Sequence, residues 1–471
     1  MSGWALRAYS LLMTLGQPLL RRKLARRGRQ EPGYLEAIEE RFGHYHQPAE
    51  TASELVWVHA VSLGETRTAA VLLKALRAQH PALRLLLTHG TATGRAEGRA
   101  LLQAIGRPGD IQVWQPWDSP AAVRRFLAHF RPRLGLLMET EIWPNLLAEG
   151  QARGLPLVLV NARLSEKSLK QALRVASLSL PAYGALSAAY AQTEADAQRL
   201  TRLGAPVKGV FGNLKFDAAP DAGQVAQGRM WRQALAQPVL MFASSREGEE
   251  DEFLKEIKVL RAQAAPAPDA NPPAASANTN AASAASALNV ASAINGANFS
   301  GCAKGFKVLI APRHPQRFDE VAALAAQHGL RVSRRSGWPA GGPAASQAAL
   351  QADIWLGDSL GEMPVYYGMS DVALLGGSFA PLGGQNLIEA AACGCPVLMG
   401  PHTFNFAEAA ELAQAEGAAR RAAGMAEAVP AALALAGDAS ARAQAAGAAL
   451  AFTARHQGAA ARTLAALRDD L

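Results

Sequence analysis

The sequence predicts an α/β protein built from two doubly wound halves. Short apolar runs of strand type recur along its 471 residues, with helical patterns between most of them, the alternation that builds parallel sheets. The runs form two series that part near residues 212–220. Glycine-rich, polar or charged segments follow the runs, where open α/β sheets bind their ligands. The length suits two domains, and an apolar fraction of 49% can fill two cores. With two such halves, the cleft between them is the default binding site.

Residues 4–20, WALRAYSLLMTLGQPLL, are mostly apolar and are followed by RRKLARRGR at 21–29. The order is reversed for a cleaved signal peptide, whose basic cluster precedes its apolar core. The apolar stretch is marginal for a span. It is read as an anchor helix, spanning or interfacial, whose basic block rests on anionic lipid head groups and stays in the cytoplasm. The alternative is a buried amphipathic helix with a solvated basic tail. A net charge of +8 points to an anionic partner. Three cysteines, Cys302, Cys393 and Cys395, make no disulfide framework and fit a reducing compartment.

Strands are expected at Leu55–Val61, Leu83–Thr88, Ile111–Trp114, Leu134–Met138, Leu157–Val160 and Ala188–Gln192 in the first half. In the second they are expected at Val239–Ala243, Val308–Ala311, Arg331–Ser333, Asp353–Leu356, Val372–Leu375 and Val397–Met399. Residues 262–303, dominated by Ala, Ser, Asn and Pro, read as a disordered insert. The implied division is 1–30 anchor and basic block, 31–215 first domain, 216–440 second domain and 441–471 a C-terminal helix.

Several strand ends carry candidate chemistry. After the first strand comes HAVSLGETRT, where Ser62 and Glu65 have capping-box spacing. Glu65 is either a helix cap or a general base toward a hydroxyl. METEIWPN places Glu139 and Glu141 beside Trp143, suited to a sugar hydroxyl, or to pairing one of them with Arg133 or Arg163. NARLSEK offers Asn161, Arg163 and Lys167 to an anionic acceptor, or is a solvated loop.

In the second half, Ser244-Ser245-Arg246, then APRHPQR with Arg313 and His314, then DSLGEM with Gly361, Glu362 and Met363, each follow a strand. The stretch GGSFAPLGGQNLIEAAACGCPVLMG at 376–400 reads as a glycine loop that approaches a ligand closely. A short helix follows whose N-terminus at Asn386 would seat phosphate, with Glu389 one turn on for a ribose or for a capping box. Together these loops indicate nucleotide or nucleotide-sugar binding. The absence of a Walker A sequence, of GxGxxG after the first strand, of a DxD pair and of clustered His/Cys argues against ATPase, dinucleotide and metal readings. No nucleic-acid motif appears.

HAVSLGETRTA, METEIWPNL, NARLSEKS, GNLKFD, APRHPQRF, GDSLGEMPVYY and GGSFAPLGGQNLIEAAACGCPVLMGPHTFNF together resemble the motif set of bacterial 3-deoxy-D-manno-octulosonic acid (Kdo) transferases, in order from about residue 4 to the C-terminus. The resemblance implies a GT-B fold of two Rossmann-like domains facing a cleft, with a final helix crossing back to the first. It implies an inner-membrane enzyme facing the cytoplasm that moves Kdo from CMP-Kdo to lipid IVA, inverting the anomeric centre without a metal or other cofactor. The family's general base matches Glu65. A second important glutamate matches Glu141, with Glu139 as the alternative. CMP would be held by Ser244, Arg313, His314, the 358–363 loop, Asn386 and Glu389, with Lys215 brought to the donor from the hinge. Arg163 and Lys167 would serve the acceptor.

Overall fold

The computed structural model describes residues 3–52, 54–264, 305–469 and 471. Most of the expected insert lies outside them; residues 262–264 end the helix Glu249–Ala264. The chain divides into two compact units, Met1–Ala218 with His456–Leu471, and Ala219–Arg455.

The first unit holds a seven-stranded parallel sheet of order β3-β2-β1-β4-β5-β6-β7. Its strands are β1 (Leu55–His59), β2 (Arg84–His89), β3 (Ile111–Trp114), β4 (Leu134–Met138), β5 (Leu157–Ala162), β6 (Ala188–Ala191) and β7 (Val207–Val210). β1 pairs with β2 through Val56↔Leu85 and with β4 through Val56↔Leu134. The strand order therefore reverses between β1 and β4. Apolar residues fill both faces, as a sheet covered by helices requires. Trp57 is fully buried against Phe126 and donates its indole N–H to Thr88 Oγ1 at 2.8 Å.

The second unit repeats the plan as β10-β11-β9-β8-β12-β13-β14. Here β8 is Val239–Ser245, β9 Lys307–Pro312, β10 Val332–Arg334, β11 Ile354–Leu356, β12 Val372–Leu375, β13 Val397–Met399 and β14 Ala419–Arg421. Its strand order reverses between β8 and β12. Two strands escaped the sequence reading, β7 and β14. Both are short edge strands, and each carries a basic residue, Lys208 or Arg420, where an apolar run was sought.

The expected N-terminal anchor is two helices, Trp4–Leu15 and Gln17–Gly28, meeting at Gly16 in ordinary right-handed geometry. Among the described residues no helix is long and apolar enough to cross a membrane. The first helix packs on the helices Pro144–Ala152 and Ala176–Gly184. Ser10 Oγ donates to Asn145 Oδ1 at 2.6 Å, and Tyr9 bonds to the buried Asp118. Its other face leaves Trp4, Leu11, Leu12 and Leu15 exposed.

The C-terminal segment is two helices rather than one, Ala439–His456 and Ala459–Ala466, broken at Gly458 with φ +100°. The second returns to the first unit. There Asp217 accepts from the Gly458 and Ala460 amides at 2.5 and 2.6 Å, and Leu464 and Leu467 join the core.

In the second unit Arg317 grips Glu250 at 2.6 Å, with 7% and 0% of their side chains exposed. The bond pins the segment after β9 to the helix Glu249–Ala264. Removing one partner of such a pair strands a buried charge. Arg317→Met is expected to cost about 3–5 kcal/mol in the urea transition of the second unit, while Arg317→Met with Glu250→Leu recovers most of the loss.

Candidate functional site

In each unit the chemistry gathers where strand order reverses, at the carboxyl ends of the central strands. In the first unit β1 ends at His59 and the chain turns into the helix Leu63–Gln79. Ser62 Oγ accepts from the Glu65 amide at 3.4 Å. The Glu65 carboxylate accepts in return from the Val61 amide at 2.9 Å and the Ser62 hydroxyl at 3.1 Å. Glu65 thus makes the reciprocal bonds with the helix start that its spacing predicts. Burial pushes the Glu65 carboxyl above its ordinary range; the Val61 amide opposes this, and the charges of Glu141 and Glu139 add to it.

Glu141 accepts from Trp143 Nε1 at 2.9 Å and lies 3.6 Å from Nε2 of the fully buried His59. Nδ1 of His59 is 2.8 Å from Thr88 Oγ1, whose single hydroxyl hydrogen goes to Gln115 Oε1 at 3.1 Å. Nδ1 must then be the donor, with Nε2 turned toward Glu141. Burial beside Glu141 also pushes the Tyr183 hydroxyl up to about 12.

Glu139 has a different environment. It is 4% exposed with a left-handed backbone (φ +57°), and accepts from Arg163 Nε at 2.7 Å with Lys215 Nζ at 3.9 Å. Lys215, expected at the donor, is therefore seated in the first unit beside Arg163. Its turn is held by Asn161, also left-handed (φ +51°), whose Oδ1 accepts from the Leu214 amide at 2.9 Å. Lys167 is exposed on the helix Glu166–Arg174 and is not among the side chains bonded to Glu139.

In the second unit β8 ends in Ser244, left-handed at φ +55°, and Ser245. The loop after β12 is held from within. The amides of Gly377, Phe379 and Ala380 donate to Glu249 at 2.7, 3.0 and 3.1 Å, and the Arg246 amide joins them at 3.0 Å. Glu249 is 2% exposed. Gly376 is sterically required, since a Cβ there would lie 2.2 Å from Ser244 O. Asn386 caps the helix Leu387–Ala392 through the Ile388 amide at 3.2 Å rather than through Glu389, as a capping box would. Glu389 lies beside Tyr367 and Cys393, on whose hydroxyl and thiol its charge acts.

Arg313 is exposed and its amide donates to Ser245 O at 3.0 Å. Burial, with the charges of Arg246 and Arg313, pushes the His314 imidazole below its ordinary range. Cationic groups thus meet at the ends of β8 and β9, an arrangement suited to phosphate. In the 358–363 loop, Gly361 is exposed at φ +80° and Met363 opens the helix Met363–Gly368. Glu362 is bound by Arg335 at 2.9 Å and by the Ser359 hydroxyl.

Residues 36–218 match the family profile described as 3-Deoxy-D-manno-octulosonic-acid transferase (kdotransferase). The chain is 44% identical over 418 residues to the 3-deoxy-D-manno-octulosonic acid transferase of Bordetella pertussis, covering 88% of this chain and 87% of that protein. It is 28% identical over 408 residues to the Haemophilus influenzae protein of the same name, covering 85% and 83%. Among solved structures it resembles UDP-GlcNAc 2-epimerase from Neisseria meningitidis (TM-score 0.52, 14% identity, 88% of this chain and 100% of that one). It also resembles a glycosyltransferase from Rickettsia africae (TM-score 0.53, 11% identity, 89% and 99%). At those identities the likeness is one of fold, and the fold is GT-B.

A carboxyl raised by folding contributes stability below its unfolded pKa and loses it as pH rises through the folded value. Glu65 is such a group. Glu65→Gln keeps an oxygen for the Val61 amide and removes the charge. Its melting temperature is expected to equal or exceed that of the wild type at pH 8, with the difference vanishing near pH 4, as scanning calorimetry across pH would show.

Proposed function

The chain belongs to the 3-deoxy-D-manno-octulosonic acid transferase family, a glycosyltransferase of lipopolysaccharide synthesis, and from that premise we propose that it transfers Kdo from CMP-Kdo to lipid IVA with inversion, using Glu65 as general base. The observation that carries this reading is the Glu65 carboxylate. It stands at the strand-order reversal of the first sheet, held by one amide and one hydroxyl, with a proton affinity raised by burial and by Glu141 and Glu139. A base whose proton affinity is raised is better matched to taking a hydroxyl proton near neutrality.

In the proposed step the acceptor hydroxyl oxygen attacks the anomeric carbon of Kdo as Glu65 takes its proton. The new C–O bond forms on the face opposite the departing phosphate, so the centre inverts. The electron pair of the breaking bond leaves on the CMP phosphate. Arg313, with Arg246 and the segment after β8, supplies positive charge for that anion. Glu141, set by His59 and Trp143, orients the acceptor and keeps the charge on Glu65 costly. No part of the step is assigned to a metal.

The acceptor is a membrane lipid, and the N-terminal helices fit a seat on the cytoplasmic face of the inner membrane. Trp4, Leu11, Leu12, Leu15 and Leu19 are exposed, and Arg22, Lys23 and Arg26 follow on exposed positions. A helix of 12 residues with such a face lies in the interface rather than across it.

The test is transfer of labelled Kdo from CMP-Kdo to lipid IVA in micelles, read by mass spectrometry, with wild type beside Glu65→Gln. Product from the wild type and a loss of roughly 10²–10⁴-fold in the variant are expected. Equal rates would return Glu65 to the role of helix cap. A folded wild type that transfers no Kdo would refute the donor or the acceptor.

A further inference from the structure

One group of side chains in the first unit, built on Glu139, has no direct contact assigned in the proposed step. Glu139, 4% exposed, holds Arg163 Nε at 2.7 Å and lies 3.9 Å from Lys215 Nζ. Two cations on one carboxylate leave a net single positive charge. Neither cation is sealed off: the Arg163 side chain is 54% exposed and that of Lys215 is 26% exposed. Against the Lys215 turn lies Asn161, 3% exposed, whose amide is oriented by the Leu214 N–H on Oδ1, and whose Nδ2 has no hydrogen-bond partner. A buried donor without an acceptor costs about 1–3 kcal/mol and marks a place where an acceptor belongs.

We infer that Arg163, Lys215 and Asn161 Nδ2, arranged on Glu139, form the subsite for the carboxylate of the transferred sugar acid. The inference rests on the reading that Kdo is the sugar moved and Glu65 the base. In an octulosonic acid the anomeric carbon itself bears the carboxylate, one bond from the atom under attack. Wherever the acceptor oxygen meets Glu65, that carboxylate is within a few ångströms. The charge of Glu139 already acts on Glu65, as does that of Glu141. A substrate carboxylate brought beside three glutamates would be repelled unless cations were placed to meet it. Arg163 and Lys215 are the cations that meet Glu139, one of the three. Arg163, expected on the acceptor side, and Lys215, expected at the donor phosphate, thus serve one group of the donor sugar.

The experiment compares wild type, Lys215→Met, Arg163→Met and Lys215→Arg. It measures KM for CMP-Kdo, KM for lipid IVA, and Kd for CMP alone by calorimetry. Arg163 is exposed enough for its variant to fold even if Lys215→Met does not. The expected result is a rise of roughly ten- to a hundredfold in KM for CMP-Kdo in both Met variants, as loss of a charged hydrogen bond implies. CMP affinity and acceptor KM should be unchanged, with partial recovery in Lys215→Arg. Weakened CMP binding would make the cluster a phosphate clamp, and a raised acceptor KM alone would make it an acceptor site. No change would leave it a scaffold. Each of these overturns the inference while Kdo transfer stands. A wild type that transfers no Kdo removes the reading and the subsite together.

Discussion

A carboxylate seated in donors at the carboxyl end of a central strand is the interaction on which both halves of this protein depend. In the first unit it is Glu65 after β1; in the second it is Glu249 after β8. Each opens a helix, and each stands where its sheet reverses strand order. The two differ in how their donors are supplied. Glu249 is 2% exposed and takes four backbone amides, so its charge is spent on holding the loop after β12 in shape. Glu65 is half-buried, takes one amide and one hydroxyl, and has two further glutamates acting on it. The same motif is a structural clasp in one unit and a less fully compensated carboxylate, raised in proton affinity, in the other.

That difference sets what each unit can offer a reaction. Structural ion pairs such as Arg317–Glu250 and the Glu249 clasp fix the loops that bear Ser244, Arg313 and His314. The first unit instead gathers Glu65, Glu139 and Glu141 within reach of each other's charge. Repulsion among them costs stability, and active sites commonly carry such a cost. Tension is also visible in the backbone: Glu139 and Asn161 adopt left-handed conformations that non-glycine residues avoid.

Much of this was legible in the sequence because the signals were local. Ile111–Trp114, Leu134–Met138, Val372–Leu375 and Val397–Met399 are strands at the expected bounds, since buried parallel strands are short apolar runs. Ser62-x-x-Glu65 announced its own hydrogen bonds by spacing alone. What failed was what depends on distant partners. Glu249 lies in an acidic helix start, and three of its four amide partners are 128 to 131 positions away. The glycines at 376–377 signalled close approach: Gly376 admits the Ser244 carbonyl, and Gly377 gives its amide to Glu249. That Lys215 meets Glu139 together with Arg163 is visible only once the sheet is folded. His59 gave no sign beyond its motif, because its neighbours Thr88 and Glu141 come from β2 and the loop after β4.

The central claim is that an ionised, burial-raised Glu65 accepts the proton in the rate-limiting transfer. It is tested most directly by the pH dependence of kcat/KM in wild type and Ser62→Ala. The Ser62 hydroxyl donates to the charged form of Glu65, so its loss favours the protonated acid. An acid limb above the ordinary glutamate range is expected in the wild type, moved to still higher pH in Ser62→Ala. An acid limb at the ordinary glutamate value, or one that stays in place when Ser62 is replaced, would contradict it.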